Sequence, residues 1–281
     1  MVTDSTADIA LDLVTELGIH VVPLKVIFGE DEFVDGVTIQ APEFYKKLES
    51  SDVFPTTSQP SPGEFVEKYE EIGVGVDGIV SIHISSKLSG TYDSAIQALE
   101  ELADDGPEIR VIDSKSASMG TGLTVLAAAR AARDGASLDE VAALAADLVS
   151  RTHVLFLLDT LEYLKRGGRI GTAEAFIGTL LKFHPLLGLV DGEVTPIARP
   201  RSKQKGVMAL LSRLEAAGGV EQAAIIVAND QATAIDLASQ VASMTGLDVP
   251  PSTTIGPVIG AHAGPGLVGV AYIVASTNAS E

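Results

Sequence analysis

Apolar and polar positions along the chain fall into blocks that alternate between a period near 3.6 and short continuous apolar runs. Ile9, Leu13, Val14 and Leu17 recur at helical spacing, with Ser5 and Asp8 three apart as an expected capping-box pair and Gly18 as the stop. Residues 21–28 form a β-rich run, and Phe33-Val34, Asp35-Gly36 and residues 37–39 predict a strand, a turn and a strand. Helices are expected over 42–50 and 62–72; Ser61, Pro62 and Glu64 supply a capping box and a proline at the first helical position of the second. Residues 78–84 (GIVSIHI) read as a buried strand, 90–104 as a helix, and 109–113 (IRVID) as another strand. A polar loop at 114–118 leads into an alanine-rich helix ending near Arg133, and Ser137 with Glu140 caps one more helix before the strand 153–158.

The second half is patterned differently. Residues 160–183 look helical but are broken at Gly167-Gly168. Residues 185–190 and 194–197 flank Asp191-Gly192 and predict an antiparallel hairpin. A helix (203–217), a strand (223–228), a helix (231–245) and a strand (267–275) follow. Apolar strands separated by amphipathic helices imply an α/β fold whose first part, residues 1–155, has a mostly parallel sheet with helices on both faces. Residues 156–281 are expected to form a smaller α+β domain.

Composition narrows the chemistry. The 281 residues contain no cysteine, which excludes disulfides, thiolate catalysis and cysteine-ligated metal sites. Lys+Arg number 19 against 38 Asp+Glu, a formal net charge of −19. That field repels nucleic-acid phosphates and anionic membranes, so neither is an expected partner. An anionic ligand would have to be gathered by a few local cations or backbone N–H groups. No uninterrupted apolar stretch reaches the length of a transmembrane helix, and no secretory signal is visible at the start; a cytoplasmic location is expected. Gly73, Gly75 and Gly78 match a dinucleotide-binding spacing, but they follow a helix and precede a strand, the reverse of the required order. The five histidines show no short metal-ligand spacing, and no cofactor or metal is expected. His83 and His153 lie within strand patterns and read as core or sheet-edge residues.

Four segments carry polar or glycine-rich sequence where strands end or helices begin, the place where open α/β sheets bind ligands. Residues 55–60 (PTTSQP) hold Thr57 and Ser58 as hydroxyls not needed for the helix cap at Ser61. Residues 85–91 (SSKLSGT) place Ser89 and Gly90 at a helix start, where unpaired N–H groups and the dipole favour a carboxylate or phosphate. Residues 165–169 (KRGGR) put Arg169 beside two glycines, suited to bidentate recognition of an anion. Residues 259–266 (IGAHAGPG) set His262 among small residues. Hydroxyls, helix N–H groups, an arginine and a histidine suit the grip of one small anionic head group; a serine hydrolase acting on acyl substrates through Ser89 and His262 is the alternative. The basic run Arg199, Arg201, Lys203 and Lys205 reads as a solvated helix entry or a docking patch.

The segments VTDST (2–6), PTTSQPSPGE (55–64), SIHISSKLSGTY (81–92), LEYLKRGGRI (161–170), AFIGTLLKFHPLL (175–187) and IGAHAGPGLVGVAY (259–272), in this order, closely resemble the DegV family, the lipid-binding proteins that include the FakB fatty-acid-binding subunits. The resemblance implies a three-layer α/β/α domain that contributes head-group loops, and a two-layer domain with a mixed sheet that contributes a lipid tunnel. It implies a non-enzymatic carrier whose ligand is a long-chain fatty acid, with the carboxylate held by Thr57, Ser89, Arg169 and His262. It also implies a partner, a separate ATP-dependent fatty acid kinase that converts the presented carboxylate to an acyl phosphate. His184 stands where lysine is common in such proteins, and Ala261 where threonine is common.

Overall fold

Alternation of buried positions along the strands decides how the layers stack. The structure, a computed structural model, describes residues 1–102, 106–177 and 183–276. Its first sheet is wholly parallel, in the order His20–Val22, Val2–Asp4, Gly78–His83, Glu108–Asp113. Along Gly78–His83 the odd positions face the helices Pro62–Gly73 and Thr91–Glu101, with Ile79 packed against Phe65, Tyr69, Ala95 and Ala98. Val80 and Ile82 face the other way, into a cluster with Leu126, Val141, Ala145 and Leu148 from the helices Met119–Arg133 and Leu138–Arg151. Burial of both faces explains the near-continuous apolar run. The result is the expected α/β/α sandwich.

A second, mixed sheet has the order Glu193–Ala198, Leu186–Val190, Thr152–Leu157, Val268–Val274, Val220–Val227, Ser252–Thr254, with the last pair parallel and the others antiparallel. Leu155, Leu157, Ile225, Val227 and Val270 pack on the helices Lys203–Ala216 and Gln231–Thr245. Val154, Phe156, Ile226 and Ile273 join the cluster that contains the first sheet. The helix Met119–Arg133 lies between the two sheets, which accounts for its small residues: Gly120, Thr121, Gly122, Ala128 and Ala129 are all buried. Residue 155 falls inside the strand Thr152–Leu157, in the interior of the mixed sheet.

Several local expectations need correction. Ser5 and Asp8 do not form a capping box: Asp4 caps the short 3₁₀ turn Ser5–Ala7, and Asp8 closes it in a left-handed conformation (φ 53°). The helix begins only at Leu11. The run 21–28 is two strands in two sheets, because Pro23 lacks an N–H and interrupts pairing between His20–Val22 and Lys25–Phe28. Lys25–Phe28 instead turns through Gly29-Glu30 to pair with Asp31–Val34, and the expected strand 37–39 is absent: 36–38 form a turn and Ile39 makes only an isolated bridge to Asp35. A third, antiparallel sheet adds Thr56–Ser58 to the other side of Lys25–Phe28. The glycine-rich segment 259–266, read as a loop, is helical as far as Ala263, within the helix Pro257–Ala263. The helical pattern over 160–183 resolves into Glu162–Arg166 and the 3₁₀ turn Gly171–Phe176; 178–182 lie outside the described residues.

The expected core role of His83 holds. It is fully buried, with Nδ1 bonded to Asp4 Oδ2 at 3.0 Å and Nε2 to Ser81 Oγ at 2.7 Å, and Tyr69 donates to Ser81 Oγ at 2.8 Å. Asp4 also accepts the N–H groups of Thr6 and Ile84, each at 3.0 Å. This chain of bonds ties the ends of two parallel strands together just below the loops that follow them.

Candidate functional site

A cavity of about 290 Å³ opens beyond the carboxyl ends of the parallel strands, and all three sheets contribute to its wall. Leu24 and Thr57 come from the three-stranded layer, Ile84, Leu88 and Ala117 from loops of the parallel sheet, and Val154, Phe156, Leu189 and Ile226 from the mixed sheet. Val258, Ile259 and His262 from the helix Pro257–Ala263 complete it. The volume sits at the lower edge of the roughly 300–1,000 Å³ usual for small-molecule sites, and the wall is mostly aliphatic.

Thr57, Ser58, Ser89, Arg169 and His262 all line this one cavity, although they come from four separate segments of the chain. Thr57 is positioned by antiparallel pairing with Val26, and its Oγ1 lies 2.8 Å from His262 Nε2. Burial, with a smaller contribution from the nearby Arg169 charge, pushes the His262 pKa down to about 4, so the ring is neutral at physiological pH. Its Nδ1 is buried without a hydrogen-bond partner and abuts Gly167, where a Cβ would come within 2.1 Å of it. An N–H there would have no acceptor among the described residues. The proton is therefore assigned to Nε2, which donates to Thr57 Oγ1, and Thr57 keeps its own hydroxyl proton for a group in the cavity.

Arg169 is held from behind. Its Nε donates to the Leu88 carbonyl at 3.0 Å and its Nη1 to the Gly167 carbonyl at 2.7 Å, which orients the guanidinium toward the same wall. The Leu88 contact joins the Arg169 loop to the segment carrying Ser89. Ser89 Oγ exchanges a hydrogen bond of 2.8 Å with Thr91 Oγ1 and accepts the Thr91 N–H at 3.3 Å. Gly90 does not line the cavity. It caps the helix Thr91–Glu101, and a Cβ on it would meet the Gln59 amide at 2.4 Å. Gln59 lines the cavity and donates to Ser94 Oγ at 3.0 Å. Residue-type reasoning passed over Gln59, and the signal available was its place in the same PTTSQP segment. Ser118, from the serine-rich loop 114–118 that the sequence offers as a further, weaker candidate, also lines the wall, with φ 51° and ψ −142°, a strained conformation for a residue with a side chain.

Other expected features resolve plainly. No carboxylate is bonded to His262 and Ser89 is not its partner, so the arrangement gives the serine hydrolase alternative no support. Arg199 stacks on Phe176 at 4.1 Å and Lys203 pairs with Asp230 at 2.7 Å, so half of the basic run is tied to the protein's own surface. His184 lies 3.2 Å from Asp159, and Ala261 is buried. Gly73 ends a helix and Gly75 turns with φ 78°, in keeping with a loop rather than a nucleotide site. Among the described residues no helix is long and apolar enough to cross a membrane.

The family model described as "Uncharacterised protein, DegV family" matches residues 1–275. A DegV domain-containing protein of Halalkalibacterium halodurans is 36% identical over 279 residues, covering 98% of each chain. Among solved structures, a fatty-acid-binding DegV family protein from Thermus thermophilus superposes with a TM-score of 0.91 at 38% identity, covering 98% of each chain. DegV of Bacillus subtilis, a fatty acid binding protein, gives a TM-score of 0.88 at 31% identity over 98% of each chain.

Proposed function

We propose, since the chain belongs to the DegV family, that it binds one long-chain fatty acid in this cavity and presents the carboxylate to a separate ATP-dependent kinase. The observation that carries the reading is the convergence of Thr57, Ser89, Arg169 and His262 on one wall of an otherwise aliphatic cavity. Thr57 and Ser89 donate hydroxyl protons to the carboxylate, and Arg169 supplies the positive charge. His262, neutral, acts through Thr57 by fixing the direction of its hydroxyl. Gly90 serves the site indirectly, by leaving space for Gln59.

Burial of the tail supplies most of the affinity. A sixteen-carbon chain hides roughly fourteen methylenes, about 11 kcal/mol at ~0.8 each. Association costs of about 4–15 kcal/mol offset much of that. The polar groups then mainly orient the head group. In the kinase-dependent step a carboxylate oxygen attacks the γ-phosphorus of ATP, the acyl–phosphate bond forms, and ADP leaves. The test is reconstitution with a fatty acid kinase, with hydroxylamine trapping of the acyl phosphate. The wild-type protein is expected to support hydroxamate formation. Ser89→Ala should bind fatty acid only modestly more weakly yet lose most of the product. Equal affinity and equal product in Ser89→Ala would remove Ser89 from the site, and hydrolysis of an acyl ester by the protein alone would favour the hydrolase.

A further inference from the structure

Behind the helix that carries His262 lies a set of carboxyl groups that the binding site does not use. Asp8 Oδ1 accepts the Gly256 N–H at 2.8 Å, and its Oδ2 accepts the hydroxyl of Ser118, a residue of the cavity wall. Asp35 accepts the Ser5 hydroxyl at 2.9 Å and the Val258 N–H. A Cβ built on Gly256 would stand 3.0 Å from Asp8 Oδ1 and 3.2 Å from Asp35 Oδ1, so the two carboxyls lie about 6 Å apart or closer, within range of mutual repulsion. Together they hold the first N–H groups of the helix Pro257–Ala263. At 1.5 Å per residue, Gly256 is about 9 Å from His262 along that helix.

We propose that Asp8 and Asp35 are positioning residues that fix the helix, and through it His262, and that binding of a carboxylate beside His262 is coupled to proton uptake by this pair. The coupling rests on the reading that a carboxylate binds there.

The surroundings leave the pair without a compensating cation. From the strand Val2–Asp4 they face Asp4, from the helix Ala41–Ser50 the Tyr45 hydroxyl, and from the cap of the helix Met119–Arg133 the Ser118 hydroxyl. Among the described residues no lysine or arginine pairs with Asp4, Asp8 or Asp35; Asp4 is bonded to His83. Burial pushes Asp8 up to about 8 and Asp35 up to about 6, and burial, with both carboxyls adding to it, raises Tyr45. Asp8 is thus part-protonated over the range in which a fatty acid in water is already an anion. Asp8 and Asp35 line a second, open cleft, so solvent screens the pair in part; a ligand anion beside His262 still disfavours the ionised pair, and by reciprocity the ionised pair disfavours the ligand. The affinity should fall about tenfold as pH rises from 7 to 9.

Calorimetric titration with dodecanoate at pH 8, in phosphate and in Tris, measures the protons exchanged on binding, because the two buffers differ in ionisation heat. Net uptake by the wild-type protein is expected, with loss of most of it in Asp8→Asn and a flatter pH profile of affinity in both Asp8→Asn and Asp35→Asn. Asparagine preserves the shape of the side chain and an acceptor for the Gly256 N–H. Binding of dodecanoate by the wild-type protein without proton uptake would overturn the coupling and leave the fatty-acid reading standing. Uptake that persists undiminished in both variants would overturn the assignment to these residues, and absence of binding of both dodecanoate and hexadecanoate at every pH would overturn the coupling and the fatty-acid reading together.

Discussion

At the scale of single residues, the site is built by close approach as much as by hydrogen bonds. Gly167 exists as glycine because His262 Nδ1 occupies the space of its Cβ. Gly167→Ala should therefore rotate the imidazole off Thr57 and weaken fatty-acid binding by about tenfold, the effect of one lost hydrogen bond to a charged group; unchanged affinity by fluorescence displacement would argue against it. Titration of half-buried groups pulls stability in opposite directions. Asp8, raised to about 8, holds its proton in the folded chain over a range where the unfolded chain has released it. Its contribution is present below about pH 4 and is lost as pH rises through about 8. Asp8→Asn should accordingly raise the melting temperature at pH 8.5, by about 4–8 °C if on the order of 2 kcal/mol is recovered, with little gain at pH 4.5. His262, lowered to about 4, contributes stability above about 6.5 that is lost as pH falls toward 4. His262→Gln should flatten that acid limb in thermal melts.

At the scale of elements, two capping boxes are fully formed. Ser61 with Glu64 starts Pro62–Gly73, and Ser137 with Glu140 starts Leu138–Arg151. Ser61→Ala should cost about 1 kcal/mol in denaturant unfolding, with fatty-acid affinity unchanged, since Ser61 does not line the cavity. These caps, the apolar runs of the strands and the Asp191-Gly192 hairpin were legible because each depends on neighbours within a few residues. Where several segments share one space, the sequence pattern misled. Residues 21–28 look like one strand, yet Pro23 hands the chain from one sheet to another. Residues 259–266 look like a glycine-rich loop, yet they are helical as far as Ala263, and Asp8 and Asp35, some 220 or more positions earlier, accept the N–H groups of Gly256 and Val258 at that helix's start. The candidate site was legible as four residue types in four loops. That Gly90 acts through Gln59, and His262 through Thr57, depends on packing that local spacing does not encode.

At the scale of the whole molecule, the cavity exists because two sheets and a small third layer meet around one buried helix without filling the space between them. Its aliphatic wall has no evident structural purpose, since closing it would bury more surface. Val154→Phe, which adds bulk to that wall, should leave the fold intact at a cost of about 1–3 kcal/mol while displacing the tail. The most direct test of the account is native mass spectrometry of the protein as purified from cells. It predicts one equivalent of a long-chain fatty acid on the wild-type protein, markedly depleted in Val154→Phe. A wild-type protein that carries no lipid, and takes none up when long-chain fatty acid is added, would contradict it.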